Sequence, residues 1–370
     1  MTYIVFFAIS ICFAALLNKT KGWLWFTCFL LSVLIPSVLF GIRSETLGMD
    51  MRLYGTPIWD ISQNLKSFDF SRTAYSTSVE KSYLFLNYFL AHFFTDIHWL
   101  LFFLALIECV LVLSILLKSD FSKISWLGYS YYLFIFFPRS INLIRQSFSV
   151  AFLFASSYFF LKKKWKWYFL FTAIAFCFHQ SSIIAFLWPL IFWYIKGRNS
   201  KLKICGLFVV GLLGVVTFRY WGNLILFLGD KYSVYVDGSY KPHFTIFSLI
   251  NVPFVCFLLM SLKKCKLQFE YSVLILSFLI IGICCAQMSM ISVYLIRIST
   301  FFDLFLIWAS MMAWKTIQGD ALEKRSKKVV RFGLLTYPLL IFLGYFIFTG
   351  QGNIHPYISE LFNQLWGNVI

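Results

Sequence analysis

The chain is a series of apolar runs, each roughly 14–21 residues long, joined by short polar segments. In order the runs cover residues 3–17, 23–40, 97–117, 124–137, 141–161, 165–178, 181–195, 202–218, 244–262, 271–288, 293–314 and 332–348. Backbone placed in lipid has no water to bond to, so such runs are expected to be helices. The joining segments 162–166, 196–203, 263–266 and 315–331 are basic, and the alternate ones are not. Putting the basic segments on the cytoplasmic side gives a zigzag of about twelve spans. The N-terminus, residues 43–81, residues 230–243 and the C-terminal tail then face outwards. Residues 82–95 break this pattern, because counting them as a span puts Lys118 and Lys123 outside. Read as an interfacial helix on the outer face they restore it, and Asn87 and His92 are then at a comfortable depth. The expected fold is an all-α polytopic membrane protein. A single integral domain covers residues 1–370, with an outer loop at 43–81 and an interfacial helix at 82–95. That loop is too small to bury a core by itself and is expected to pack on the membrane helices.

Composition agrees. Hydrophobic residues make up 60% of the chain and charged ones 13%, with a mean hydropathy of +0.79; a soluble core does not need that balance. The net charge of +17 is gathered in loops between spans, which argues for topology and against nucleic acid. The nine cysteines show no ligand spacing, and nearly all sit in apolar runs, so they read as small hydrophobes and no metal is expected. The first apolar run has neither a basic leader nor a small-residue cleavage site, and is expected to be a retained span. No P-loop, dinucleotide turn, HExxH, GxSxG or metal-bound DxD occurs, so no cofactor is expected.

Against this background Arg139–Ala151 stands out. It lies between two apolar runs yet carries Arg139, Asn142, Arg145 and Gln146. Charge at that depth is kept where it faces protein, water or an anionic ligand. On a helix, Asn142, Arg145 and Gln146 fall at i, i+3 and i+4 on one face. That face offers a guanidinium fork and two amides, a match for phosphate oxygens. Arg139, beside Pro138, reads as an interfacial residue that snorkels outwards.

Other polar residues flank the spans. The first loop gathers Arg43, Glu45, Asp50, Arg52 and Tyr54, with Gly48 permitting a tight turn before a helix from Met51. Asp50 is placed to cap that helix or to act as a general base at the membrane surface. Glu80, with Tyr83 three residues on, reads as a favourable anion at a helix start or as a second carboxylate beside Asp50. His179 and Gln180 interrupt two short apolar runs, which implies a hairpin or a broken helix lining a cavity. Arg297 is a candidate second phosphate contact. Asp303, deeper in the same span, is expected to pair with an arginine of another helix. Glu108 reads as hydrogen-bonded inside the bundle, with no role.

In this order the stretches resemble the EpsG family, the Wzy-type polymerases of bacterial surface polysaccharides. The carriers are Arg43, Leu47-Gly48-Met49-Asp50 and Tyr54; Glu80-Lys81-Ser82-Tyr83; the run from Asn142 through Arg145-Gln146 to Ala151; Phe178-His179-Gln180-Ser181-Ser182; and Tyr294 to Arg297. The family tends to show Glu-Pro-Gly-Tyr where this chain has Glu80-Lys81-Ser82-Tyr83. The resemblance implies a glycosyltransferase-C-like fold in the bacterial inner membrane. Its site would face the periplasm or cell exterior, and its substrate would be an undecaprenyl-diphosphate-linked oligosaccharide. O-antigen, capsule and exopolysaccharide are the candidate products, and membrane lipids and a chain-length regulator the further partners. The expected catalytic residues are Asp50, first as base, with His179 and Glu80. The expected substrate-binding residues are Arg145, Arg297, Arg43, Asn142, Gln146, Gln180, Tyr54 and Tyr83. The rival expectations are a flippase for lipid-linked glycans and a glycan ligase or acyltransferase.

Overall fold

The computed structural model describes residues 2–196, 206, 246–261, 269–287, 296–318, 324–350 and 354–359. Every regular element among them is helical. Among the described residues three helices are long and apolar enough to cross a membrane: Gly22–Gly41, His98–Lys118 and Arg325–Phe348. The protein is therefore a membrane protein. The expected span at 202–218, apart from Gly206, and the expected outward-facing segment at 230–243 lie outside the described residues.

The chain divides into two compact units, 1–182 with 333–370, and 183–332. In the first, α1 (Thr2–Leu16), α2 (Gly22–Gly41), α5 (His98–Lys118) and α7 (Ile144–Leu161) pack in sequence, and α8 (Trp165–Phe178) folds back on α7. The smaller α3 (Thr56–Asn64) and α4 (Lys81–Ala91) lie between α2 and α5 in the sequence and pack on each other. Buried serines inside this unit bond to backbone carbonyls, between helices and within them. Ser10 donates to the Ser32 carbonyl at 2.6 Å, and Ser37 to the Val33 carbonyl one turn back at 2.6 Å. The C-terminal stretch is tied to the end of α2, where Tyr357 donates to Leu39 at 2.7 Å and Ser359 to Ile42 at 2.6 Å.

Two of the expected spans are helical without being continuous α-helices. Residues 124–137 form α6 (Ser125–Tyr131), then a π turn (Tyr132–Phe136), then a 3-10 turn (Phe137–Ile141). Pro138 sits at the start of that last turn, where its missing N–H costs nothing. Residues 180–195 form a 3-10 run (Gln180–Leu187) followed by a short α-helix (Trp188–Ile195). Within 82–95 the helix α4 ends at Ala91, burying Tyr83, Leu84, Asn87 and Leu90 and leaving Phe85 and Phe89 exposed.

The second unit has Trp188 against Phe278 and Phe305, with ring centroids at 5.7 and 5.1 Å. Its span at 293–314 is also interrupted, as Ile296–Asp303 and Phe305–Gln318. Asp303 is buried at that interruption and accepts bonds from Asn251 at 2.6 Å and Ser299 at 2.9 Å.

Candidate functional site

The first unit brings the polar sequence stretches together at the start of α7. The helix begins at Ile144, after Leu143 in a non-helical conformation with no side chain of its own to cap it. Its cap comes from the first loop, where the Asp50 carboxylate accepts the Ile144 N–H at 3.0 Å and the Tyr54 hydroxyl. Asp50 makes no side-chain cap bond to its own helical turn, Met51–Gly55. The capping role expected of it is filled, but on a different helix.

The late start of α7 also corrects the expected face. Asn142 precedes the helix, so it does not share an i, i+3, i+4 stripe with Arg145 and Gln146. Its Oδ1 instead accepts the Met49 N–H at 2.7 Å. Arg43 completes the attachment by donating from Nη1 to the carbonyls of Leu47 at 2.6 Å and Ile141 at 3.1 Å. Gly48 permits the contact. Its φ is +89°, and a Cβ there would stand 2.0 Å from the Ile141 carbonyl oxygen. The loop is thus bound to the break before α7 by backbone and side chain together.

Arg43 is fully buried, its guanidinium over the Phe40 ring at 4.5 Å. Burial lowers its pKa to about 10, which still leaves it charged at neutral pH. Its Nη1 donates to backbone carbonyls on either side of the contact, which shapes the loop.

The second turn of the site comes from Glu80, immediately before α4. One carboxylate oxygen forms an ion pair with Arg145. The other accepts the Gln180 N–H at 3.1 Å and lies 3.7 Å from the His179 imidazole, within ion-pair range once that ring is protonated. The side chains of Arg145, Glu80 and His179 are 17%, 11% and 16% exposed, so solvent reaches all three only narrowly. Removing one partner of such a buried pair leaves an uncompensated charge, at a cost of about 3–5 kcal/mol.

Arg145 also lies over the Tyr54 ring at 4.3 Å, and Tyr54 meets Tyr83 edge-on at 5.8 Å. Burial and the Asp50 charge hold the Tyr54 phenol well above its usual pKa, and burial pushes Tyr83 up to about 12. Both hydroxyls are therefore neutral donors at physiological pH. His179 follows the last turn of α8 in extended conformation. Ser82 on α4 donates to the Cys177 carbonyl in that turn, and the hydroxyls of Ser149 and Ser182 bond each other. These serines tie α4 to α8 and α7 to the 180–187 run; they lie in the stretches that carry the family resemblance, but no role was expected of them.

Asp50, Tyr54, Glu80, Tyr83, Arg43, Asn142, Arg145, His179 and Gln180 thus form one connected group. Gln146 is buried on the first turn of α7. Arg297 belongs to the second unit, half-buried on Ile296–Asp303. Among the described residues no group of three or more His, Cys, Asp or Glu is placed to hold a metal. What the first-unit group can do chemically follows from its charges. It presents a cation at a helix N-terminus, already a positive end, next to an imidazole and a carboxylate.

A model of the EpsG family matches residues 25–359. No curated protein and no solved structure matches the chain.

Proposed function

This chain belongs to the EpsG family, and from that premise we propose that it is a polysaccharide polymerase of the bacterial inner membrane. The family suggests a role in exopolysaccharide biosynthesis and, loosely, a glycosyltransferase-like enzyme. The finer reading is Wzy-type block transfer between two undecaprenyl-diphosphate-linked oligosaccharides at the outer face. About twelve spans and a glycosyltransferase-C-like arrangement belong to the same proposal.

In this reading an acceptor sugar hydroxyl attacks the anomeric carbon of the donor's reducing-end sugar. The new glycosidic C–O bond forms as the bond to the diphosphate breaks, and undecaprenyl diphosphate leaves with the electron pair. The hydroxyl proton passes to a base. The leaving group is already activated, so the reaction needs no nucleotide donor, and the guanidinium of Arg145 is proposed to take the place of a metal at the diphosphate.

The observation that carries the proposal is Glu80, one carboxylate holding Arg145 on one side and facing His179 on the other. A guanidinium has five N–H donors, so Arg145 can keep Glu80 and still turn donors to phosphate oxygens. The N-terminus of α7 adds to the same field. Fixed cations in a site largely closed to water stabilise the charge that grows on the diphosphate. His179 is the proposed base, with Glu80 stabilising the imidazolium that forms. Asp50, whose Oδ2 already accepts two donors, is assigned to holding α7 and Tyr54. Tyr83, Asn142, Gln146 and Gln180 are proposed to line the glycan and phosphate side, and Arg43 to shape the loop above them.

The test is purified protein in lipid vesicles with one lipid-linked repeat unit. A ladder of longer lipid-linked products supports polymerisation. Unchanged length with movement across the bilayer would make the protein a flippase, and transfer to lipid A or protein would make it a ligase.

A further inference from the structure

Glu108 is an acid buried in the otherwise apolar α5, and no step above uses it. An acidic residue at such a position is costly and is kept for a partner. Its Oε2 accepts two hydroxyls, from Tyr132 at 2.8 Å and Ser140 at 3.3 Å. Those residues stand on the two turns where the helical line between α6 and α7 changes pitch. Tyr132 opens the π turn and Ser140 lies in the 3-10 turn, where its single O–H is shared between the Phe137 carbonyl at 2.5 Å and Glu108. One carboxylate oxygen from a neighbouring helix therefore pins both turns.

The residues that follow are the ones the first loop is bound to. Ile141 receives Arg43, Asn142 receives Met49, and Ile144 donates to Asp50. Arg145 comes next. An aromatic path closes the circuit, since Phe137 packs on Tyr132 and on Phe40 at 6.0 and 5.7 Å, and Phe40 lies under Arg43. A change of pitch supplies fewer helical bonds than a continuous helix, so its geometry has to be set from outside the segment.

We propose that Glu108 is a positioning residue for the candidate site. It fixes the turns from which Asn142 and Arg145 are presented and acts on substrate only through them. The inference rests on Arg145 being the group that meets the diphosphate, but its structural half can be measured without any substrate.

Amide hydrogen exchange on the full chain in lipid nanodiscs would be compared for wild type, Glu108→Gln, Glu108→Leu and Ser140→Ala. Glutamine keeps a carbonyl able to accept both hydroxyls, and leucine keeps only volume. Glu108→Leu is expected to speed exchange across 139–144 and at Met49 about tenfold, the worth of a buried hydrogen bond. Glu108→Gln should stay near wild type, and Ser140→Ala should move in the same direction as leucine by less. Where Glu108→Leu does not fold, the serine and glutamine variants decide.

In the chain-extension assay kcat should fall on the order of tenfold or more for leucine and recover for glutamine, as a misplaced contact predicts. Exchange over 139–144 that is unchanged in the leucine and serine variants overturns the proposal. So does exchange raised evenly along α2, α5 and α7, or glutamine behaving as leucine does. These exchange outcomes stand whether or not the protein polymerises glycans. A normal exchange response with no chain extension in wild type would overturn the polymerase reading alone.

Discussion

Asp50 accepts the backbone N–H of Ile144 at 3.0 Å from 94 positions away in the chain. A helix start normally finds its cap in the residue just before it. Here that residue is Leu143, which has none to give, and the carboxylate of a distant loop does the work. The loop, the helix and the arginine on its first turn are therefore one mechanical unit.

Replacing Asp50 by Asn keeps an acceptor and should leave folding and chain extension close to wild type. Replacing it by Ala should cost about 0.5–2 kcal/mol, the usual worth of a helix cap. Thermal unfolding in detergent, with chain extension measured alongside, checks both. An inactive but fully stable Asp50→Asn variant would return Asp50 to the role of base.

Arg145→Lys keeps the charge and loses the fork. An ammonium cannot hold Glu80, lie flat on Tyr54 and grip two phosphate oxygens together. Chain extension is expected to drop on the order of 100-fold, as when a positioned charge stabiliser is removed, with membrane protein levels unchanged by immunoblot. Normal polymer length in this variant would remove Arg145 from the mechanism.

Gly48→Ala and Gly22→Ala separate backbone strain from collision. Both glycines have positive φ, but only Gly48 has a neighbour where a Cβ would go. Gly22→Ala should cost about 1–2 kcal/mol for the left-handed conformation alone. Gly48→Ala should cost clearly more, read as a lower midpoint of thermal unfolding or loss of folded protein. Equal costs would show that the loop moves away from Ile141 freely.

Tyr54 gives a pH dependence. Its folded-state pKa is raised well above the ordinary 10 by burial and by Asp50. Its contribution is therefore complete below pH 10 and is lost as the pH rises beyond, when the unfolded chain ionises first. Between about pH 9.5 and pH 11.5 wild type should lose stability relative to Tyr54→Phe, by about 1.4 kcal/mol per pH unit once past 10. Parallel unfolding curves over that range would mean the phenol is not sealed against Asp50.

Hydropathy made α1, α2 and α5 legible to within a residue or two, because a single long apolar run has one way to satisfy its backbone. It could not separate a continuous helix from the α, π and 3-10 succession over 125–141, since apolarity reports depth and says nothing of hydrogen-bond pitch. Pro138 was the local hint. Arg145, Glu80 and His179 were visible as polar residues in apolar surroundings, but their pairing was not. Glu80 meets Arg145 and Gln180 at separations of 65 and 100 positions, beyond any local pattern. Asn142 was misplaced onto α7 for the same reason, because the group that starts that helix lies in another part of the chain.

The close fit of Gly48 against Ile141 has a consequence for how the protein is made. The loop leaves the ribosome before the segment that gives it shape exists, and Arg43 waits 98 residues for its partner carbonyl. At about 5–20 residues per second that is roughly 5–20 s of translation. During that interval Arg43 has the Leu47 carbonyl of its own loop, and insertion of the later turn supplies the second one from Ile141.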